Sequence, residues 1–184
     1  GEKYDYYRIP SIITAANGSL LAFAEARDSL WDQAKNEIVI KRSDDLGKTW
    51  HSFATIAEPE SESKTSEKMK VKVGSLNNPC AVVDRTNGRV LLVFQMYPPG
   101  VSEFRNIKPT DIRDYMVYSD DHGITWSEMR DITQSTKKPE SLTIASGPGI
   151  GIQLTRSKYK GRIIMPYNHR IGTDWHVYCS YSDD

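Results

Sequence analysis

The side chains best suited to chemistry in this chain fall in Tyr7-Arg8-Ile9-Pro10, Glu25-Ala26-Arg27 and Trp31-Asp32. A guanidinium is the group best matched to a carboxylate, because its planar N–H fork meets both oxygens at once. Arg8 stands between a Tyr and an Ile-Pro strand start, which fixes its backbone and aims it at the inner rim of whatever the strand builds. From the residues alone, Arg8 either grips an anionic ligand or stacks on an aromatic ring and bridges neighbouring elements. Both readings stay open until the elements that carry these clusters are placed.

Those elements are set by a repeat. Ser43-Asp44-Asp45-Leu46-Gly47-Lys48-Thr49-Trp50 and Ser119-Asp120-Asp121-His122-Gly123-Ile124-Thr125-Trp126 are two copies of S-D-D-x-G-x-T-W, and Ser182-Asp183-Asp184 reads as the opening of a third. Aligned on the octamer, each unit opens with Pro10, Pro79 or Pro148 and a short apolar strand, followed by a turn carrying Gly18, Gly88 or Gly161. A second apolar strand follows, then a third ending at the octamer and a fourth beginning at its Trp. Asn17-Gly18 and Asn87-Gly88 are hairpin signals, since both turn residues take positive φ at low cost. Four antiparallel strands per unit without helical periodicity predict an all-β β-propeller. Blade one covers about 8–57, blade two about 78–133, and blade three starts at about 148 and is incomplete. The broken third octamer predicts that the protein continues.

Turn chemistry explains every position of the octamer. Ser and Asp oxygens accept from backbone N–H groups, Gly supplies a positive φ, and Trp packs into the blade. Asp44, Asp45, Asp120 and Asp121 are therefore assigned to the fold. Strand alternation then puts the octamers and the Asn-Gly turns on one rim. The opposite rim collects Arg8, the loop from Arg27 to Asn36, Asn78, residues 97–112 and the segment from Asn168 to Asp174. Those irregular loops are where function sits on a rigid scaffold. Pro98, Pro99, Phe104 and Pro109 either wall a pocket or pack over a blade. The charged stretch 57–76 reads as a solvated connection between blades.

Composition narrows the classes. The 24 basic and 24 acidic side chains cancel, so bulk charge points to no nucleic-acid or anionic-membrane partner. No apolar run approaches the roughly 20 residues of a membrane span. Ten Tyr and four Trp suit both strands and sugar-stacking surfaces. Nothing asks for a cofactor or a metal: the D-x-G turns lack the D-x-D-x-D-G ligand set. Cys80 and Cys179 lie in apolar strand patterns and read as buried free thiols. The chain starts at Gly1, so a secretion signal would lie outside it and the compartment stays open.

Taken together, Arg8-Ile9-Pro10, Glu25-Ala26-Arg27, Asp32, the octamers and Gly147-Pro148-Gly149-Ile150-Gly151-Ile152-Gln153-Leu154 resemble the exo-α-sialidases (neuraminidases) of the bacterial and animal type. The resemblance runs from Tyr7 to the third octamer. It implies a six-bladed propeller, with these residues as the N-terminal part of one catalytic domain. The implied substrates are sialylated glycoproteins, glycolipids and oligosaccharides. Carried over residue by residue, Arg8 belongs to a three-arginine clamp on the sialic acid carboxylate, and Asp32 is the general acid/base. Asp28 lies too close to the second strand for that role. Arg27 resembles a pocket arginine on the hydroxyl side of the sugar ring. Asn78 matches a position, often Asp in the family, that meets the N-acetyl amide.

The implied chemistry is retaining, with a Tyr nucleophile in place of a carboxylate, because an anionic nucleophile would be repelled by the carboxylate on the anomeric carbon. Asp32 would protonate the departing oxygen and then activate water, with burial raising its pKa and nearby Arg charges opposing that. The Tyr, its Glu partner and two further clamp arginines come later in the family than the third octamer, so no residue here takes those roles. Tyr167 and Arg170 read as wall residues. The 184 residues by themselves are expected to show no turnover and, through unpaired blade faces and strand edges, to be unstable or to associate. A non-catalytic sugar-binding propeller with the same clasps, and a trans-sialidase, are the alternative readings.

Overall fold

In the computed structural model, residues 3–59, 74–104 and 107–183 are described. Most of the charged stretch 57–76 lies outside them. Three antiparallel sheets follow one another along the chain. The first is β1 (Tyr6–Thr14), β2 (Leu20–Arg27), β3 (Asn36–Ser43) and β4 (Ala54–Ala57) in that order. The second is β5 (Ser75–Val83), β6 (Val90–Tyr97), β7 (Arg113–Ser119) and β8 (Arg130–Asp131), again in order. A single turn of helix, α1 (Thr133–Thr136), leads to the third sheet of β9 (Ile152–Gln153), β10 (Ile163–Ile171) and β11 (Asp174–Ser182). These are the blades of a partial β-propeller. At the inner edge, Ser11 Oγ of blade one donates to Gly149 O at 2.8 Å, and Ala81 bridges Ile150 between blades two and three.

Burial follows position in the stack. The middle blade is covered on both faces, so β5 and β6 are buried almost throughout: β6 is a nearly continuous apolar run, and β5 becomes one after Asn78. One core lies between blades one and two, with Phe23, Ile38, Leu92, Phe94 and Val117. The other lies between blades two and three, with Cys80, Val93, Ile144, Met165 and Tyr167. Each such side chain contributes about 1.5–3 kcal/mol on burial. β11 alternates instead, because only one of its faces meets a blade: Val177 and Tyr181 are exposed while Tyr178 packs inward. Cys179 shares the open face and is exposed, contrary to the expectation of two buried thiols; Cys80 is buried.

The octamers form side-chain clasps. Ser43 Oγ accepts from Gly47 N at 2.9 Å, and Asp45 accepts from Thr49 N and Thr49 Oγ1 at 2.8 and 2.6 Å. Ser119, Asp121 and Thr125 repeat the pattern at 2.8, 2.8 and 2.6 Å. Each clasp reaches across to the turn between the first two strands: Ser19 Oγ donates to Asp44, Arg89 to both oxygens of Asp120, and Arg162 to both oxygens of Asp183. Clasps and Gly turns therefore share one rim.

Four local expectations are refined. Only the glycine of each Asn-Gly turn has positive φ, Gly18 at 90° and Gly88 at 85°. Asn17 and Asn87 act through their side chains, accepting from Ser19 N and Arg89 N. In the octamer two successive residues are left-handed, since Leu46 and His122 precede the glycines at 62° and 60°. Finally, Trp126 packs against the core between blades one and two, where it also reaches the preceding blade, edge-on to Phe23 at 5.7 Å. The fourth strands also start later than the Trp, with one backbone bond (His51 N to Arg42 O, Ser127 N to Tyr118 O) bridging the gap.

Candidate active site

Two inner strands break their register at the same point. In β1 the pairing with β2 shifts between Arg8 and Ser11, with Ile9 at φ 51°; in β5 it shifts between Asn77 and Cys80, with Asn78 at φ 58°. A left-handed β-branched residue is costly, and the following Pro adds its own restriction. These bulges turn the chain on the rim opposite the clasps, where Arg8 and Asn78 stand. Asp32 comes to the same rim on the loop between β2 and β3, as expected from strand alternation.

The four residues expected in the site belong to one hydrogen-bonded chain. Arg8 Nη1 meets Asp32 Oδ1 at 3.2 Å, and Arg27 Nη1 meets the same oxygen at 2.7 Å. Arg27 also donates through Nη1 to Leu30 O and through Nε and Nη2 to Glu25 Oε2, the Nε bond being 2.7 Å. The other oxygen of Glu25 accepts from Asn78 N at 2.6 Å. The Asn78 side chain lies beside the buried Tyr97 hydroxyl. Burial grades along this chain: the Arg8 and Asp32 side chains are 43% and 54% exposed, whereas Arg27 and Glu25 are 1% and 0%. Arg8 and Asp32 are thus open at the rim, and Arg27 is buried behind them. Asp28 is absent from the network.

Burial pushes the Glu25 carboxyl up, opposed by the Asn78 amide and by Arg27. Loss of either partner would leave a buried charge uncompensated, which is expensive. The main chain of Asp32 is fixed separately. Asn36 Nδ2 donates to Asp32 O at 3.0 Å and to Asn77 Oδ1 at 2.7 Å, and Asn77 Nδ2 donates to Ser75 Oγ at 2.8 Å. The start of blade two therefore holds the loop of blade one.

Tyr167 and Arg170 do not wall this site together. Tyr167 is buried between blades two and three, stacked on Tyr178, with its hydroxyl donated to Asp114 at 2.8 Å. Its position on β10 faces blade two, so packing claims it. Arg170 bonds Gly172 O at the hairpin tip. No group of His, Cys, Asp and Glu able to hold a metal occurs among the described residues. No described helix is long and apolar enough to cross a membrane.

A family model for a BNR repeat-like domain matches residues 10–184. The chain belongs to the BNR repeat-like domain family. This BNR repeat-like domain is 32% identical over 168 residues to a sialidase of Paraclostridium sordellii, covering 88% of this chain and 39% of that protein. It is 33% identical over 168 residues to Sialidase-3 of Bos taurus, covering 87% of this chain and 36% of that protein. The chain thus spans well under half the length of these relatives. Among solved structures it is similar to the Hadza microbial sialidase Hz136, with a TM-score of 0.84 and 24% identity over 100% of this chain and 36% of that one. The intramolecular trans-sialidase from Ruminococcus gnavus, in complex with oseltamivir carboxylate, gives a TM-score of 0.81 and 19% identity, covering 99% of this chain and 59% of that one. Both likenesses show the propeller fold of this BNR repeat-like domain.

The sequence singles out Glu25 without giving it a role, and Asn36, Asn77 and Tyr97 receive none. Glu25 had a signal: it lies two residues from Arg27 on a strand, so both side chains share a face. Asn36 and Asn77 had none, since polar residues at strand starts are common.

Proposed function

We propose that the complete protein is a retaining exo-α-sialidase and that these residues form the N-terminal part of its catalytic propeller. The observation that carries this reading is Asp32, half exposed and held between Arg8 and the buried Arg27, in a chain whose relatives are sialidases. Arg8 is the carboxylate ligand. In the free protein it pairs with Asp32, and a sialic acid carboxylate would compete for the same guanidinium, freeing Asp32 for proton transfer. Asp32 gives its proton to the glycosidic oxygen as the bond breaks and then takes one from water.

Arg27 keeps Asp32 in place, because Glu25 holds its other edge. Contact between Arg27 and the sugar, implied by the resemblance, would share Nη1 with Asp32. Asn78 would meet the N-acetyl group through its carboxamide oxygen, beside Tyr97. The Tyr nucleophile, its Glu and the other clamp arginines are expected later in the protein. Release of free sialic acid from sialyllactose by the complete protein tests the reading. No release under conditions where the protein is folded would overturn it.

A further inference from the structure

A second buried carboxylate reaches the candidate site from the interface of blades two and three. Asp114 of β7 and Gln95 of β6 are fully buried. Gln95 Nε2 donates to Asp114 Oδ1 at 2.7 Å and to Ser146 Oγ at 2.9 Å, and Gln95 Oε1 accepts from Ser146 N at 3.1 Å. Ser146 Oγ donates to Asn78 O at 3.1 Å, and Asn78 N donates to Glu25 at 2.6 Å. Glu25 holds Arg27, and Arg27 meets Asp32 at 2.7 Å. Asp114 and Asp32 are therefore the two ends of one polar path that passes through the left-handed residue Asn78. In a low-dielectric interior the bonds of such a path polarise one another, so a change of charge at one end is felt along it.

The Asp114 end accommodates a proton without leaving a polar group unpaired. Its Oδ2 meets Thr136 Oγ1 at 2.7 Å and Tyr167 Oη at 2.8 Å, while Thr136 Oγ1 also lies 3.1 Å from Ile132 O. A hydroxyl has one hydrogen, and here it has two acceptors. With Asp114 ionised, that hydrogen goes to Oδ2. With Asp114 protonated, Oδ2–H donates to Thr136 Oγ1, whose own hydrogen turns to Ile132 O. Ile132 O keeps the Ser135 N–H in both cases. The Thr136 hydroxyl is thus a two-state element.

The surroundings single out Asp114 as the group that changes charge between pH 5 and 7. Burial lifts its carboxyl to about 6 against its three donors, and Asp131 of β8 adds to the rise. Asp131 itself is held low by Thr133 and Arg113 against its partial burial. Burial draws Lys137, after α1, down to about 8, with Asp111 and Asp114 opposing, so it stays charged up to neutral pH. Cys80 of β5, Tyr167 of β10 and Tyr178 of β11 also feel Asp114, and burial pushes all three up, so they stay protonated.

We propose that Asp114 is a proton-linked positioning residue for Asp32, acting through Gln95, Ser146 and Asn78 on the Glu25–Arg27 pair behind it. An ionised acceptor makes a bond about twice as strong as a neutral one, so loss of the proton tightens the pull of Asp114 on Gln95. Gln95 then bonds Ser146 differently, and the seat of the Asn78 bulge changes with it. The effect on turnover rests on the sialidase reading; the linkage from Asp114 to Asn78 does not.

In the complete protein, the Asn78 backbone N–H and the Gln95 side-chain NH2 resonances are followed by NMR from pH 4.5 to 7.5. Both are expected to shift with a common midpoint near 6. In Asp114→Asn, which carries no charge and a permanent donor toward Thr136, that inflection should vanish from both. An Asn78 N–H that stays still in the wild type, or titrates unchanged in Asp114→Asn, would overturn the proposal. The wild-type titration decides by itself if the variant does not fold. Turnover gives a second readout: the ratio of kcat on sialyllactose at pH 5 to that at pH 7 should differ by about threefold between wild type and Asp114→Asn, with KM moving less. Equal ratios would contradict an effect on Asp32. If no sialic acid is released at either pH, the sialidase reading fails, while the titration still judges the linkage.

Discussion

The Glu25 carboxylate of blade one holds the main chain of Asn78 in blade two, accepting its N–H at 2.6 Å, while its second oxygen takes the guanidinium of Arg27. One buried carboxylate thereby fixes both the arginine behind Asp32 and the left-handed residue that bends β5 at the rim. Blade three reaches the same residue, since Ser146 Oγ donates to Asn78 O at 3.1 Å. The candidate site is built at a junction of three blades, and its geometry depends on their packing.

Glu25→Gln in the complete protein keeps the size and removes the charge that opposes Arg27. A single Gln oxygen can still accept from Arg27, but the buried guanidinium loses its counter-charge and pulls harder on Asp32, while the Asn78 N–H faces an NH2 group in place of its acceptor. We expect kcat/KM on sialosides to fall at least tenfold, with KM less affected than kcat, while circular dichroism shows an intact fold. Activity within twofold of wild type would mean that Arg27 holds Asp32 without Glu25.

Glycine substitutions separate the two turn types. A Cβ at Gly123 would lie 2.9 Å from both terminal methyls of Leu21 and would carry a φ of 86°, whereas one at Gly18 has a φ of 90° and meets nothing within 4 Å. Gly18→Ala should cost about 1 kcal/mol from backbone strain alone. Gly123→Ala should cost about 2–4 kcal/mol, because crowding in the interblade core adds to that strain. Thermal melts of the complete protein should rank Gly123→Ala clearly below Gly18→Ala, and equal melting temperatures would argue against the clasp as an interblade contact.

Much of the fold was legible because the octamer is local. Ser43, Asp45, Gly47 and Thr49 make their bonds within one turn, so the repeat alone placed strands and rims. The direction of Trp126 was not legible, since its partner Phe23 lies far away in sequence. The positions of Arg8 and Asp32 on one rim followed from strand alternation, whereas the roles of Glu25, Asn36 and Asn77 depend on contacts between blades that no local pattern encodes. Tyr167 shows the same limit: on the loop-side end of a strand it reads as a wall residue, yet its side chain faces blade two and is buried.

Asp114 gives the interblade core a pH signature. It is fully buried and accepts from Gln95 Nε2, Thr136 Oγ1 and Tyr167 Oη, but burial dominates and lifts its pKa from 3.8 to about 6. Between those values the folded state retains a proton that the unfolded chain sheds. The stability contributed is full below about pH 4 and is lost as pH rises through 6, a change of about 3 kcal/mol. Urea melts of wild type and Asp114→Asn at pH 4.5 and 7 check this: the wild type should lose stability over that interval relative to the variant. Parallel profiles would show that Asp114 titrates normally.

The most direct test of the account is Asp32→Ala in the complete protein, assayed on a natural sialoside and on an aryl sialoside with a good leaving group. If Asp32 is the acid, turnover of the natural sialoside falls by about 10²–10⁴. The aryl sialoside, whose departing oxygen needs little protonation, suffers less, and the variant melts with the same cooperativity as wild type. Unchanged turnover of the natural sialoside, or an equal loss on both substrates, would contradict Asp32 as the proton donor and with it the site described above.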